Sequence, residues 1–155
     1  MIKLVPGIGR ASRIGQFLWV GIFIVLFVLS LRLNPNPSGH GTHMQLGLPP
    51  CPSVLMFGRP CPGCGMTTSF SYCAKGDFVD GFKVHPFGPI LFVGWGLTAM
   101  MAGYGLLRGF TLDTSAKSFQ WVLAIFAVLF FAYGAFRFYE GFSPNEKVIA
   151  SREAR

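Results

Sequence analysis

Three long stretches free of formal charge constrain this chain more than any other feature. Ile14–Leu31 supplies eighteen such residues, Pro86–Leu107 twenty-two and Ser118–Phe136 nineteen. As helices they would measure about 27, 33 and 28 Å, against a hydrocarbon thickness of roughly 30 Å. A globular core could not absorb that much apolar surface in a chain of 155 residues. Composition agrees, with 52% hydrophobic and 12% charged residues, where soluble domains average about 25% charged. The sequence therefore predicts an all-α integral membrane protein with three transmembrane helices in a single membrane domain. The spans are expected over residues 14–33, 86–107 and 118–139. A cleaved signal peptide is the rival reading of the first run, but Ser30-Leu31-Arg32-Leu33-Asn34 offers no small-x-small cleavage site.

The segments between and around the spans read differently. Residues 1–13 hold Pro6, Gly7, Gly9 and three cations and suggest a flexible lead. Residues 34–64 predict an irregular loop outside the hydrocarbon, with six of the eleven prolines in its stretch from Asn34 to Pro60. Residues 65–84 predict two short amphipathic interfacial helices. In the first, Met66, Phe70 and Cys73 share an apolar face and Thr67, Thr68, Ser69 and Ser71 lie elsewhere. Asp77 is placed to cap the second, whose apolar side carries Phe78, Val79 and Phe82. In span two Gly94, Thr98 and Ala102 recur every four residues, as do Ala99 and Gly103. Such small-residue faces let a second helix come close, whether another span of this chain or a second copy. Trp121 and Tyr139 sit near the ends of span three as interfacial anchors, and residues 143–155 form a polar tail.

The formal charge of +7 is spread along the chain without a basic stripe. It points to anionic lipid headgroups beside the spans and excludes nucleic acid as a partner. None of the six carboxylates lies within a span, so the mark of a transport pathway is missing. No nucleophile, base and orienting residue can be assembled into a triad, which favours a non-enzymatic role.

The four cysteines, Cys51, Cys61, Cys64 and Cys73, fall in a window of 23 residues. Cys61-Pro62-Gly63-Cys64-Gly65 reads as a tight knuckle opening a helix, with Pro62 fixing one backbone angle and Gly63 and Gly65 permitting positive ones. Three chemistries fit it. A metal, zinc for example, needs four donors. Cys51, Cys61 and Cys64 are the candidate ligands, with Cys73, His40, His43 or His85 as the fourth. Cys73 lies about 13 Å from Cys64 along a continuous helix, so its use requires that helix to break. A redox pair would have its first thiol acidified by the helix N-terminus and by Arg59. A structural disulfide would join Cys51 to Cys61 or Cys64, leaving Cys73 as a buried small hydrophobe and the histidines as solvated loop residues.

Cys51-Pro52, Gly58-Arg59-Pro60-Cys61-Pro62-Gly63-Cys64-Gly65-Met66-Thr67, Gly76-Asp77 and His85-Pro86 together resemble the bacterial membrane-protein family known as domain of unknown function 2752. The resemblance covers roughly residues 45–95 and departs from the family's pattern at Thr68, where arginine is common, and at His85, where asparagine is. It implies a small polytopic protein of the bacterial inner membrane, with the cysteine loop between the first two spans, and it supplies no activity. With Lys3, Arg10 and Arg13 holding the N-terminus inside, the loop faces outward, although a count over all cations favours the reverse. The reading that results is an accessory or scaffold subunit, embedded in the lipid bilayer and docked to a membrane-protein partner or to its own copies. The alternative is a membrane thiol-disulfide redox or metal-handling protein acting through Cys61 and Cys64.

Overall fold

All three uncharged runs are helical in the computed structural model, which describes residues 3–6, 9–36, 38, 39, 41–113 and 117–141. The long helices are α1 (Arg10–Arg32), α5 (Phe87–Arg108) and α6 (Lys117–Glu140), and between α1 and α5 lie three short ones, α2 (Pro52–Phe57), α3 (Met66–Ala74) and α4 (Phe78–Val84). Each long helix is apolar and long enough to cross a bilayer, and each runs past its uncharged stretch to end on cations at the water boundary, Arg32, Arg108 and Arg137 among them. His40 and the polar tail 143–155 lie outside the described residues.

The expected flexible lead is ordered where it is described. Arg10–Arg13 extend α1, and a strand β1 (Lys3–Pro6) pairs antiparallel with β2 (Phe110–Asp113), in the register Lys3 opposite Asp113 and Pro6 opposite Phe110. Two four-residue strands are too short to show an alternating pattern, so nothing in the sequence announced them. Gln16 ties the sheet to α1, its side-chain amide donating to Phe110 O at 3.2 Å. The sheet thus gathers the start of α1 and the end of α5 at one end of the molecule. The loop and its cysteines occupy the other.

α1 and α5 pack along the face that small residues predicted. Ala99, Ala102 and Gly105 are buried, Trp19 Nε1 donates to Thr98 Oγ1 at 3.2 Å, and Gly96 leaves room for the Phe23 ring. Gly94 and Gly103 have open space beside them instead. Below this seam Phe92 is the meeting point of rings from three other helices: Phe23 and Phe27 of α1, Phe70 of α3 and Phe78 of α4.

α3 buries its hydroxylated side as well as Cys73 of the expected apolar face, where Phe70 packs on Phe92. The residues it buries are Thr68, Ser69, Ser71 and Cys73. Small hydroxylated side chains let backbones approach closely, and each hydroxyl then finds a carbonyl. Ser71 Oγ lies 2.7 Å from Leu33 O and 3.0 Å from Ser30 O, so it serves the last carbonyls of α1. Ser69 Oγ donates to Gly81 O at 2.8 Å, and a Cβ on Gly88 would stand 2.0 Å from that hydroxyl oxygen. Ser71→Ala should therefore lower stability by about 1–2 kcal/mol through orphaned α1 carbonyls, read as a depressed Tm in detergent. In α4 Asp77 occupies the capping position without a side-chain cap bond, and Phe78, Val79 and Phe82 stay exposed, as an interfacial helix requires.

α6 is the least enclosed span, with Gly134 its one buried residue among those described. It meets the rest through aromatic rings from its middle onward, Phe126, Phe130 and Tyr133 around Phe87, and through the cysteine turn.

Candidate metal centre

The stretch expected to be irregular contains a 3-10 turn at Thr42–Leu46 and helix α2, and these two segments carry the cysteine cluster's outer wall. The knuckle is the inner wall. Cys64 N–H donates to Cys61 O at 2.9 Å and Met66 N–H to Gly63 O at 3.1 Å, closing consecutive turns that lead into α3. Gly65 caps the helix at φ +90°, and a Cβ there would lie 2.8 Å from Gly39 O. Only glycine fits that position. Gly63 does not use the positive φ that the sequence allowed it.

Cys51 stands at the N-cap of α2 and faces this turn. The Sγ atoms of Cys51, Cys61 and Cys64 all lie within 4.8 Å of one another, with Cys64 buried and the other two half-buried. Cys73 is apart. α3 is continuous from Met66 to Ala74, so the break that a four-cysteine site needs does not occur. Cys73 instead packs beside Gly81, where a Cβ would come 3.0 Å from its sulfur, the buried small hydrophobe that the sequence allowed for.

The three sulfurs border a cavity of about 340 Å³ that also takes in His43, Leu48, Thr67 and Thr68. Their electrostatics differ. Partial burial pushes the Cys51 thiol up, but hydrogen bonding with Cys61 and the backbone amides of Ser53 and Val54 outweighs it and leaves the thiol below its ordinary range. Burial pushes the Cys64 thiol up to about 12, and the charges of Cys61 and Cys51 act in the same direction. One readily ionised sulfur beside one held protonated is a set that a cation can unify.

Around the sulfurs, the knuckle's carbonyls are taken by side chains from other elements. His85 lies 3.0 Å from Pro62 O through Nε2. A carbonyl only accepts, so Nε2 carries the proton and Nδ1 has no partner among the described residues. The ring is fully buried between Phe87, Phe130 and Tyr133. Burial lowers its pKa, and Arg137 adds to the effect against the Pro62 bond. His85 is therefore neither a solvated loop residue nor free to join the sulfurs. Arg137 Nη1 donates to Cys64 O at 2.9 Å. Arg59, expected to acidify a thiol, reaches instead to Phe138 O and Tyr139 O, both at 3.0 Å, with its guanidinium over the Phe138 ring. Gly134 presses against Pro62, where a Cβ would stand 2.3 Å from the proline Cβ. Sequence reasoning missed Gly134 and Arg137 altogether. Both sit at the end of an apolar run, where a cation and a glycine have ordinary explanations.

The matched segment begins at the first of these sulfurs. Residues 51–99 match the family described as Protein of unknown function (DUF2752). The matched segment runs from Cys51 through α2, α3 and α4 into α5, and so contains all three clustered cysteines, His85 and the glycines of the turn. The 3-10 turn with His43, and α6 with Gly134 and Arg137, lie outside it. Thr68 is fully buried and shares a hydrogen bond of 2.7 Å with Thr42 Oγ1. No curated protein matches the chain, and no solved structure does.

Proposed function

We propose that this protein is a non-enzymatic membrane scaffold, an accessory subunit of a larger assembly, whose loop is organised by one zinc-like ion held by Cys51, Cys61 and Cys64. The observation that carries the reading is the convergence of all three sulfurs within 4.8 Å. Zinc–sulfur bonds of about 2.3 Å place the sulfurs of a tetrahedral site roughly 3.8 Å apart, so an ion draws the cluster in by at most about 1 Å. A disulfide uses two sulfurs and strands the third. Thiolates favour zinc and other soft or borderline ions over magnesium or calcium. The scaffold role is supported by what surrounds the site: Arg59, His85 and Arg137 are turned to the chain's own carbonyls, and the ion would fix a turn against which α6 rests.

The test is elemental analysis of protein purified in mild detergent, with alkylation before and after chelation. One zinc per chain is expected, with Cys51, Cys61 and Cys64 alkylated only after the ion is stripped. Four thiols that alkylate without chelator, and no metal, would end the reading. The lowered Cys51 thiol favours a second one, thiol-disulfide exchange, which is recognised by two cysteines that alkylate only after reduction. Co-purification of a stoichiometric membrane partner supports the subunit role, and a chain that returns alone as a monomer removes it.

A further inference from the structure

We propose that His43 is the fourth ligand, closing the site as three thiolates and one imidazole around a divalent zinc-like ion. This rests on the reading that Cys51, Cys61 and Cys64 hold the ion, and it assigns the position they leave open.

Three sulfurs leave one corner of a tetrahedron, and a structural site fills it with a protein donor. Besides the sulfurs, the side chains on the cavity wall that carry a donor atom are His43, Thr67 and Thr68. Hydroxyls are poor ligands for such an ion, and Thr68 Oγ1 is already paired with Thr42 Oγ1 at 2.7 Å. The imidazole remains.

The backbone of His43 is held in place beside the sulfurs independently of any ion. Gly41 at φ +83° and Gly47 at φ +76° bound the 3-10 turn. Thr42, the preceding residue, is fully buried. Its hydroxyl is pinned to α3 through Thr68, one turn beyond Cys64, and accepts the Asn36 N–H at 3.0 Å. His43 itself is half-buried at the cavity wall, and its ring has no hydrogen-bond partner among the described residues. Both of its ring nitrogens are uncommitted, whereas His85 gives one to Pro62 O and is walled in by rings. His43 lines the same cavity as the three sulfurs, and its ring nitrogens lie outside the 4.8 Å cluster that the sulfurs form.

Zinc K-edge absorption fine structure on the full chain in detergent tests this without a variant. Three sulfurs at about 2.3 Å and one nitrogen at about 2.0 Å are expected, with the outer-shell scattering that an imidazole ring produces. His43→Ala should then lose the ring scattering and at least ~100-fold in zinc affinity, while His85→Asn keeps the ring signal. Zinc bound by three sulfurs with no imidazole, or ring scattering that survives in His43→Ala, overturns the assignment and leaves the thiolate trio standing. Wild-type protein that takes up no zinc overturns both.

Discussion

Gly134→Leu will loosen the third span from the cysteine turn and weaken metal binding, although position 134 is far from any sulfur ligand in sequence. A Cβ at this position would lie 2.3 Å from Pro62 Cβ and 2.6 Å from both Pro62 Cα and Cγ. Neither side can yield locally, because one is a helix backbone and the other a five-membered ring. Overpacking of this kind costs about 1–3 kcal/mol. The strain is relieved only by moving α6 outward, which stretches the bonds of Arg137 to Cys64 O and of Arg59 to Phe138 O and Tyr139 O. Pro62 follows Cys61 directly, so a displaced turn misplaces that thiolate. Losses of supporting contacts around metal ligands typically cost 10–100-fold in affinity, and about that drop in zinc affinity is expected, with a lower Tm in detergent. Gly134→Ala separates causes by sign. Helix propensity alone would make alanine more stable by about 1 kcal/mol, so a destabilised alanine variant identifies the clash. Gly94→Ala on α5, with nothing within 4 Å of its Cβ, is the control and should be neutral or stabilising.

Cys64→Ser should weaken zinc binding by ~100-fold or more and flatten its dependence on pH. Structural zinc sites are worth about 10–16 kcal/mol over four ligands, so one thiolate accounts for about 3 kcal/mol. The pH signature comes from the thiol's burial. With its pKa pushed up to about 12, Cys64 is protonated at neutral pH in the metal-free protein, and the ion has to expel that proton. Each proton expelled makes affinity rise tenfold per pH unit. Wild-type affinity therefore climbs with pH between 6 and 8, and the serine variant, which has no such proton to lose, climbs by one power of ten less per unit. A competition titration against a zinc chelator at three pH values reads both effects. Cys73→Ser, altering a thiol outside the cluster, should leave affinity and slope as they are.

The frame of this protein was legible because hydrocarbon imposes a blunt rule. A run of eighteen or more uncharged residues has few alternatives to a spanning helix, and the three runs are three helices. The cysteine cluster was legible for a different reason, since Pro62, Gly65 and the close spacing of Cys61 and Cys64 restrict the turn by local sterics alone. What could not be read depended on partners distant in sequence. The serines of α3 look like a solvent face until the open carbonyls of Ser30 and Leu33 are placed above them. His85 looks like a loop residue until Phe130 and Tyr133 arrive from a helix forty-odd positions later. Arg137 looks like a headgroup anchor until Cys64 O stands in front of it. Each is a polar group whose role is set by the acceptor it finds, and acceptors leave no periodic trace.

α6 is held at its C-terminal end by Pro62, Arg59 and Arg137. Along its middle Val122, Ile125, Val128 and Leu129 turn outward. Lipid asks of those positions only that they be greasy. The residues of this helix therefore divide into a few that admit no substitute and many that are interchangeable, and a random library across it would show tolerance collapsing abruptly at Gly134.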